Sequence, residues 1–211
     1  LFGSIMDKNY TIYKLEILRA MGFKFVSFGE IVSHKIDDFN SLKLLNTQIK
    51  SCNLCQLCKS RTNAVIDSGN ISSGVVFVLD SPNVRSDENG LCTPDDSLLR
   101  YLNLAGLNAN EIYFTYILKC INKQNNWYYN DICTKFFDQE LAIIKPKFIV
   151  SFGLNCFKEL AKNSSFESHR GGIYRLKNSL YMPTFDNAWI DKNPSKANEF
   201  IADLKKIKGY L

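Results

Sequence analysis

No stretch of this chain is apolar over enough residues to cross a bilayer, and no signal-peptide pattern opens it. That excludes a membrane-spanning helix and sets the expectation of a cytoplasmic protein with no membrane partner. There is no internal repeat and no low-complexity tract, so neither a repeat array nor a disordered linker explains the length. Neither sign of charge dominates: 26 Lys and Arg against 21 Asp and Glu leave a net +5 and a pI of about 8.7. A polyanionic partner is compatible with that balance but not required by it. Histidine is scarce, with only His34 and His169 present.

Cysteine is not scarce. There are seven, an odd number, which argues against a complete set of disulfides. In a reducing cytosol, clustered cysteines are more often metal ligands than cross-links. Cys52, Cys55 and Cys58 fall at three-residue intervals in one short polar segment, and Cys120 and Cys133 lie far downstream. Thiolates at this spacing can hold a metal ion or an iron–sulfur cluster. A zinc site with the same ligands stands as the rival, because four thiolates suit either. Cys92 and Cys156 read as free thiols.

At 211 residues and 45% hydrophobic content, one α/β domain with an N-terminal extension is the expectation. Residues 1–50 read as a helical extension, with helices over Tyr10–Met21 and Asp38–Lys50. From residue 51 to 211 the pattern changes. Val75–Leu79 (VVFVL), Ile112–Leu118 and Phe148–Phe152 are short apolar runs of the kind that fill buried parallel strands. Ile173–Leu176 and Ser179–Met182 look extended. Helical periodicity covers Ser97–Ala105, Cys133–Ile144, Leu154–Ala161 and Lys196–Ile207. The stretches at Asp80–Asp96 and after Pro183 read as loops. Strands separated by helices imply crossover connections. The predicted fold class is α/β, a three-layer α/β/α sandwich around a central four-stranded parallel sheet. In such sheets ligands bind at the carboxyl ends of the strands, where the loops at Asp80, Tyr116 and Asp186 should converge.

The order of features is specific: CxxC followed by an Arg-Thr pair, a strand, an acidic Pro- and Gly-containing loop, a strand ending in Lys119-Cys120, a further cysteine, IxPKxIVxxG, Arg170-Gly171-Gly172, and a late Pro183-Thr184 loop. It resembles the iron–sulfur (thermophile-type, family four) uracil-DNA glycosylases over about three-quarters of the chain. The resemblance implies a [4Fe-4S] cluster held by Cys52, Cys55, Cys120 and Cys133, with Cys58 as a spare thiol. It implies DNA containing a deaminated or damaged base as the partner, and a monomer. The interval between Cys120 and Cys133 is slightly shorter than is usual in that family.

The active-site motifs depart from the family. Its G-E-A-P-G motif corresponds to Leu79-Asp80-Ser81-Pro82-Asn83, so Asp80 keeps a carboxylate where the family has Glu, and Asp87 and Gly90 hold the shape of the loop beyond it. The phenylalanine that stacks on the flipped base is replaced near Cys92 or Thr93. Tyr116 stands where the family has Asn, and Asp186-Asn187 where it has His-Pro. A uracil leaving group is an anion, and an ionised Asp186 would repel it. Asp80, Asp87, Tyr116, Asp186 and Asn187 are therefore candidate catalytic residues of an altered pocket. Such a pocket could take a base that leaves protonated, with Tyr116 stacking on it. The alternative is a catalytically inactive DNA-binding iron–sulfur module on the same fold. The candidate DNA contacts are Lys119, Arg170, Trp189 and Lys192, together with Lys123, Lys196, Trp127, Tyr128 and Tyr129; for Arg170 a structural salt bridge is the competing reading. Trp189 occupies the loop that the family inserts into the minor groove.

Overall fold

The computed structural model describes residue 19 and residues 38–123, 130–162 and 165–211. The chain clusters into two compact units, Leu1–Ser41 and Leu42–Leu211, and the sheet belongs to the second. Apart from residue 19, the expected helix at Tyr10–Met21 lies outside the described residues, as do His34 and the aromatics Trp127, Tyr128 and Tyr129.

A β-branched run with no polar alternation must be covered on both faces. Val75–Leu79 (β2) is such a run, and all five residues are buried. It sits inside a sheet formed with β1 (Ser68–Gly69), β3 (Tyr113–Tyr116), β4 (Phe148–Phe152), β5 (Tyr174–Leu176) and β6 (Ser179–Thr184). The strand order is β1-β3-β2-β4-β6-β5. Neighbours β3, β2, β4 and β6 run parallel, while β1 pairs antiparallel with β3 and β5 antiparallel with β6. The expectation of a four-stranded parallel sheet is thus corrected to a six-stranded mixed one. The β5–β6 connection is only Lys177-Asn178, and two residues can join antiparallel strands but not parallel ones. Strand β1 is two small residues with no apolar run to announce it.

Side chains alternate across β2 and separate two cores. Val75, Phe77 and Leu79 face helices α3 (Asp96–Ala105) and α8 (Ala197–Lys205) through Leu98, Leu102, Phe200 and Leu204. Val76 and Val78 face α1 (Asp38–Ser51), α4 (Asn130–Ile144) and α5 (Gly153–Ala161) through Leu45, Ile49, Phe136, Phe137 and Phe157. The remaining helices are short: α2 (Val84–Asn89), α6 (Phe166–His169) and α7 (Asn187–Lys192). No helix among the described residues is long and apolar enough to cross a membrane.

Two of these helices occupy stretches that read as loops. Helix α2 has no apolar stripe; it begins because the Asn83 side chain accepts the Ser86 amide and ends because Gly90 takes φ +71°. Helix α7 begins at Asp186, whose carboxylate accepts the Trp189 amide at 3.0 Å. Helix α3 is capped by Asp95, which accepts the Leu98 amide at 2.8 Å. The four parallel strands present their carboxyl ends on one edge, which brings the segments after β2, β4 and β6 to one place.

Candidate active site

Asp80 follows β2 directly and Gly153 follows β4, so both stand where the strand order reverses. Gly153 adopts φ +83°, and a side chain there would put its Cβ 3.1 Å from the Cβ of Asp186. The β4 and β6 ends therefore approach as closely as a glycine permits. Asn155, in the first turn of α5, donates to Asp80 Oδ2 at 2.9 Å. Asp80 Oδ1 is buried and has no hydrogen-bond partner. Burial, with Asp186 adding repulsion, pushes the Asp80 carboxyl up to about 6, against the lowering effect of Asn155 and Ser81. Burial also raises Asp186, and the amides of Trp189 and Ala188 restrain that shift. Two carboxyls that repel one another, one poised to titrate near neutrality, can trade a proton with a bound water or leaving group.

The other three candidates are spent on the frame. Asp87 is buried and accepts the Thr62 amide at 3.0 Å through both oxygens. It straps the segment after the cysteines to α2. Tyr116 is 3% exposed with its ring in the core beside β2. Its hydroxyl meets Ser86 Oγ at 3.1 Å and donates to the Thr93 carbonyl at 3.4 Å. In this arrangement it offers no face to a flipped base. Asn187 is buried and donates to both oxygens of Asp95 at 2.9 and 3.0 Å, tying α7 to the cap of α3.

The candidate DNA contacts divide in the same way. Lys119 is 2% exposed. Its ammonium donates to Thr115 Oγ1 at 2.7 Å and to Glu140 at 2.6 Å, so it is turned inward and cannot meet a phosphate. Glu140, which sequence reasoning missed, also accepts from the Tyr113 hydroxyl at 2.8 Å. The signal for it was present: Glu140 falls on the buried face of α4, three and four residues after Phe137 and Phe136. Arg170 donates to Asp203 at 2.5 Å and Glu199 at 3.0 Å and lies 4.6 Å over the Phe185 ring, which is the structural ion pair. Trp189 remains 43% exposed and stacks on Phe185 with centroids 4.8 Å apart. Lys192 is exposed at the end of α7, on the same surface element as Trp189.

The cysteines from the two distant segments meet. Cys120 and Cys133 are buried together with Leu57 and Leu118, and Cys55 packs against them. Arg61 donates to Cys120 Sγ at 3.0 Å and to the Cys52 carbonyl at 2.6 Å. Burial pushes the Cys120 thiol up to about 11 and the Cys133 thiol up to about 12, and the sulfurs of Cys52 and Cys55 add to both. Arg61 lowers Cys120 and the Lys119 backbone lowers Cys133, so donors already point at two of the sulfurs. Cys58 acts on Cys52 and on Arg61. All seven cysteines are free, and Cys92 and Cys156 are fully buried in the cores. Among the described residues, no three His, Cys, Asp or Glu side chains close around one point as a single ion would need.

Comparison with known proteins agrees with this geometry. A type-4 uracil-DNA glycosylase of Sulfurisphaera tokodaii is 28% identical over 80% of this chain and 84% of its own length. Those of Thermotoga maritima and Pyrobaculum aerophilum are 25% and 27% identical, over 81% and 80% of this chain and 94% and 93% of theirs. The sequence model of the uracil DNA glycosylase superfamily matches residues 66–205, a span that runs from just before β1 to the end of α8. A six-stranded α/β sheet with a titratable carboxyl at its switch point is thus the body of a member of the uracil DNA glycosylase superfamily, to which this chain belongs.

Proposed function

We propose that the protein is a DNA-repair glycosylase that hydrolyses the N-glycosidic bond of uracil or another deaminated base flipped from DNA. The relatives are named for uracil; the base taken here is set by an altered pocket. One observation carries the reading: Asp80, at the carboxyl end of β2, holds a buried oxygen that no protein group satisfies, while Asn155 fixes the other. A folded protein tolerates such an orphan mainly where a ligand or water is to be handled. Ionised, Asp80 orients and deprotonates a water for attack at the sugar carbon. Asp186 lies beside it in place of a neutral or cationic donor, which disfavours a base departing as a bare anion.

Cys52, Cys55, Cys120 and Cys133 are proposed to hold a [4Fe-4S] cluster. The donor set is all sulfur, it draws on two segments far apart in the chain, and Arg61 stands ready to stabilise thiolate charge. Zinc would use the same four thiolates, and iron analysis with the absorption spectrum of the purified protein separates the two. Bound, the cluster would cross-link the Cys52–Cys55 segment to the segment after β3, which carries Cys120, and to α4, which carries Cys133.

A second reading has one observation behind it: the Tyr116 ring is packed in the core with its hydroxyl engaged, on the side where a base edge would be read. That is what a DNA-binding module without turnover would show. A nicking assay on duplexes carrying uracil, hypoxanthine or xanthine decides. Cleavage of any of them, reduced at least about 100-fold by Asp80→Asn, supports the glycosylase. Tight DNA binding with no cleavage supports the module.

A further inference from the structure

At the opposite edge of the sheet from Asp80 lies a groove of about 730 Å³. It is built where α4 and α5 end, β4 begins and the β5–β6 hairpin turns. Its floor is aliphatic and aromatic carbon from Phe137, Leu141, Ile149, Leu160 and Leu176. Its rim carries four exposed lysines, Lys145, Lys147, Lys162 and Lys177, against two carboxylates, Asp138 and Glu159. Asp138 is met by Lys177 at 3.7 Å, with both side chains mostly exposed, so the ion pair is weak and readily exchanged. Glu159 accepts from Thr134 Oγ1 at 3.3 Å. The rim thus keeps an excess of positive charge.

Three of these lysines, Lys145, Lys162 and Lys177, hold φ of +51° to +56°, and among the described residues they are all the non-glycine positions in the left-handed region. Glycine or asparagine would adopt that conformation at lower cost. A long cationic side chain is nonetheless present at each.

We propose that this groove docks a short acidic amphipathic segment of a partner protein, with apolar side chains seated on the floor and carboxylates on the lysine rim. Charge complementarity selects an acidic occupant. The carbon floor selects a peptide over nucleic acid: single strands are gripped by stacking on exposed aromatic faces, and the one aromatic here, Phe137, is 1% exposed. A segment bound at this edge leaves the Asp80 edge open, so the proposal does not depend on what that site cleaves.

The test is fluorescence anisotropy with the full chain and three labelled helical peptides of about four turns: Leu/Phe anchors with Glu and Asp, the same anchors with Lys, and the acidic peptide with anchors changed to Ser. The acidic anchored peptide is expected to bind at least about tenfold more tightly than either control, and to weaken at least about tenfold in Lys145→Glu/Lys177→Glu and in Lys147→Glu/Lys162→Glu. An unchanged melting temperature and unchanged cleavage of oligonucleotides would show that the variants are folded. Equal binding of all three peptides, no binding, or affinity indifferent to both variants overturns the proposal. So does an oligonucleotide that competes fully for the groove and loses affinity in the same variants.

Discussion

Asp80 is held in a setting that disfavours its own charge. Its carboxyl titrates near 6 in the folded chain against 3.8 when unperturbed, so between those values the native state keeps a proton that the unfolded chain has lost. Stability therefore falls as pH rises from about 4 to about 6 and stays reduced above it. The shift corresponds to about 3 kcal/mol at most. Asp80→Asn is expected to stabilise the protein by about 1–3 kcal/mol at pH 8 and by much less near pH 4, measured by urea unfolding at both values. Lys119 shows the opposite arrangement, a buried charge fully met by Glu140 and Thr115. Lys119→Met would strand Glu140 and should cost about 3–5 kcal/mol, seen as a lower urea midpoint. In sequence, a lysine beside a cysteine at the end of a strand reads as a phosphate contact. Its partner, Glu140, lies on the buried face of α4, and the packing of α4 against β3 brings the two together. Asp186 was legible as a departure from a motif, and it is also the cap that starts α7.

At the scale of elements, signals carried by burial were readable and signals carried by caps were not. β2 and β4 stand at the predicted residues because an unbroken apolar run admits few other settings. α2 escaped notice because VRSDEN has no apolar period; Asn83 and Gly90 make it a helix. β1 exists through its pairing with Tyr113 and Phe114 rather than through its own residues. The α3–α7 corner depends on Asp95, which caps α3 and receives Asn187 from α7. Asp95→Ala removes the cap and leaves the buried Asn187 amide unmet. A loss of about 1–3 kcal/mol is expected in thermal unfolding, and DNA affinity should fall with it if Trp189 and Lys192 on α7 are the DNA contacts the sequence suggests.

Over the whole molecule, the sheet places one edge for chemistry and leaves a lysine-rimmed groove at the other, while the cysteines join segments far apart in sequence. Spacing and family resemblance together pointed to a shared site for cysteines between residues 52 and 133. Packing buries Cys120 and Cys133 with Leu57 and Leu118 and sets Cys55 against them, which no pattern in the sequence specifies. Cys120→Ser would remove one of the proposed ligands, the one Arg61 donates to, so the purified variant should contain little iron and melt well below the parent. Full iron occupancy in that variant would remove Cys120 from the ligand set.

If the Asp80 carboxyl does the chemistry, its own titration must govern the rate. Single-turnover cleavage of a duplex bearing the preferred deaminated base, followed from about pH 4.5 to 8.5, tests this most directly. The predicted rate climbs through an apparent pKa of about 6 and levels above it, and Asp80→Asn loses both the rate and the inflection. A variant that cleaves at the parental rate, with the same pH dependence, would contradict that role for Asp80.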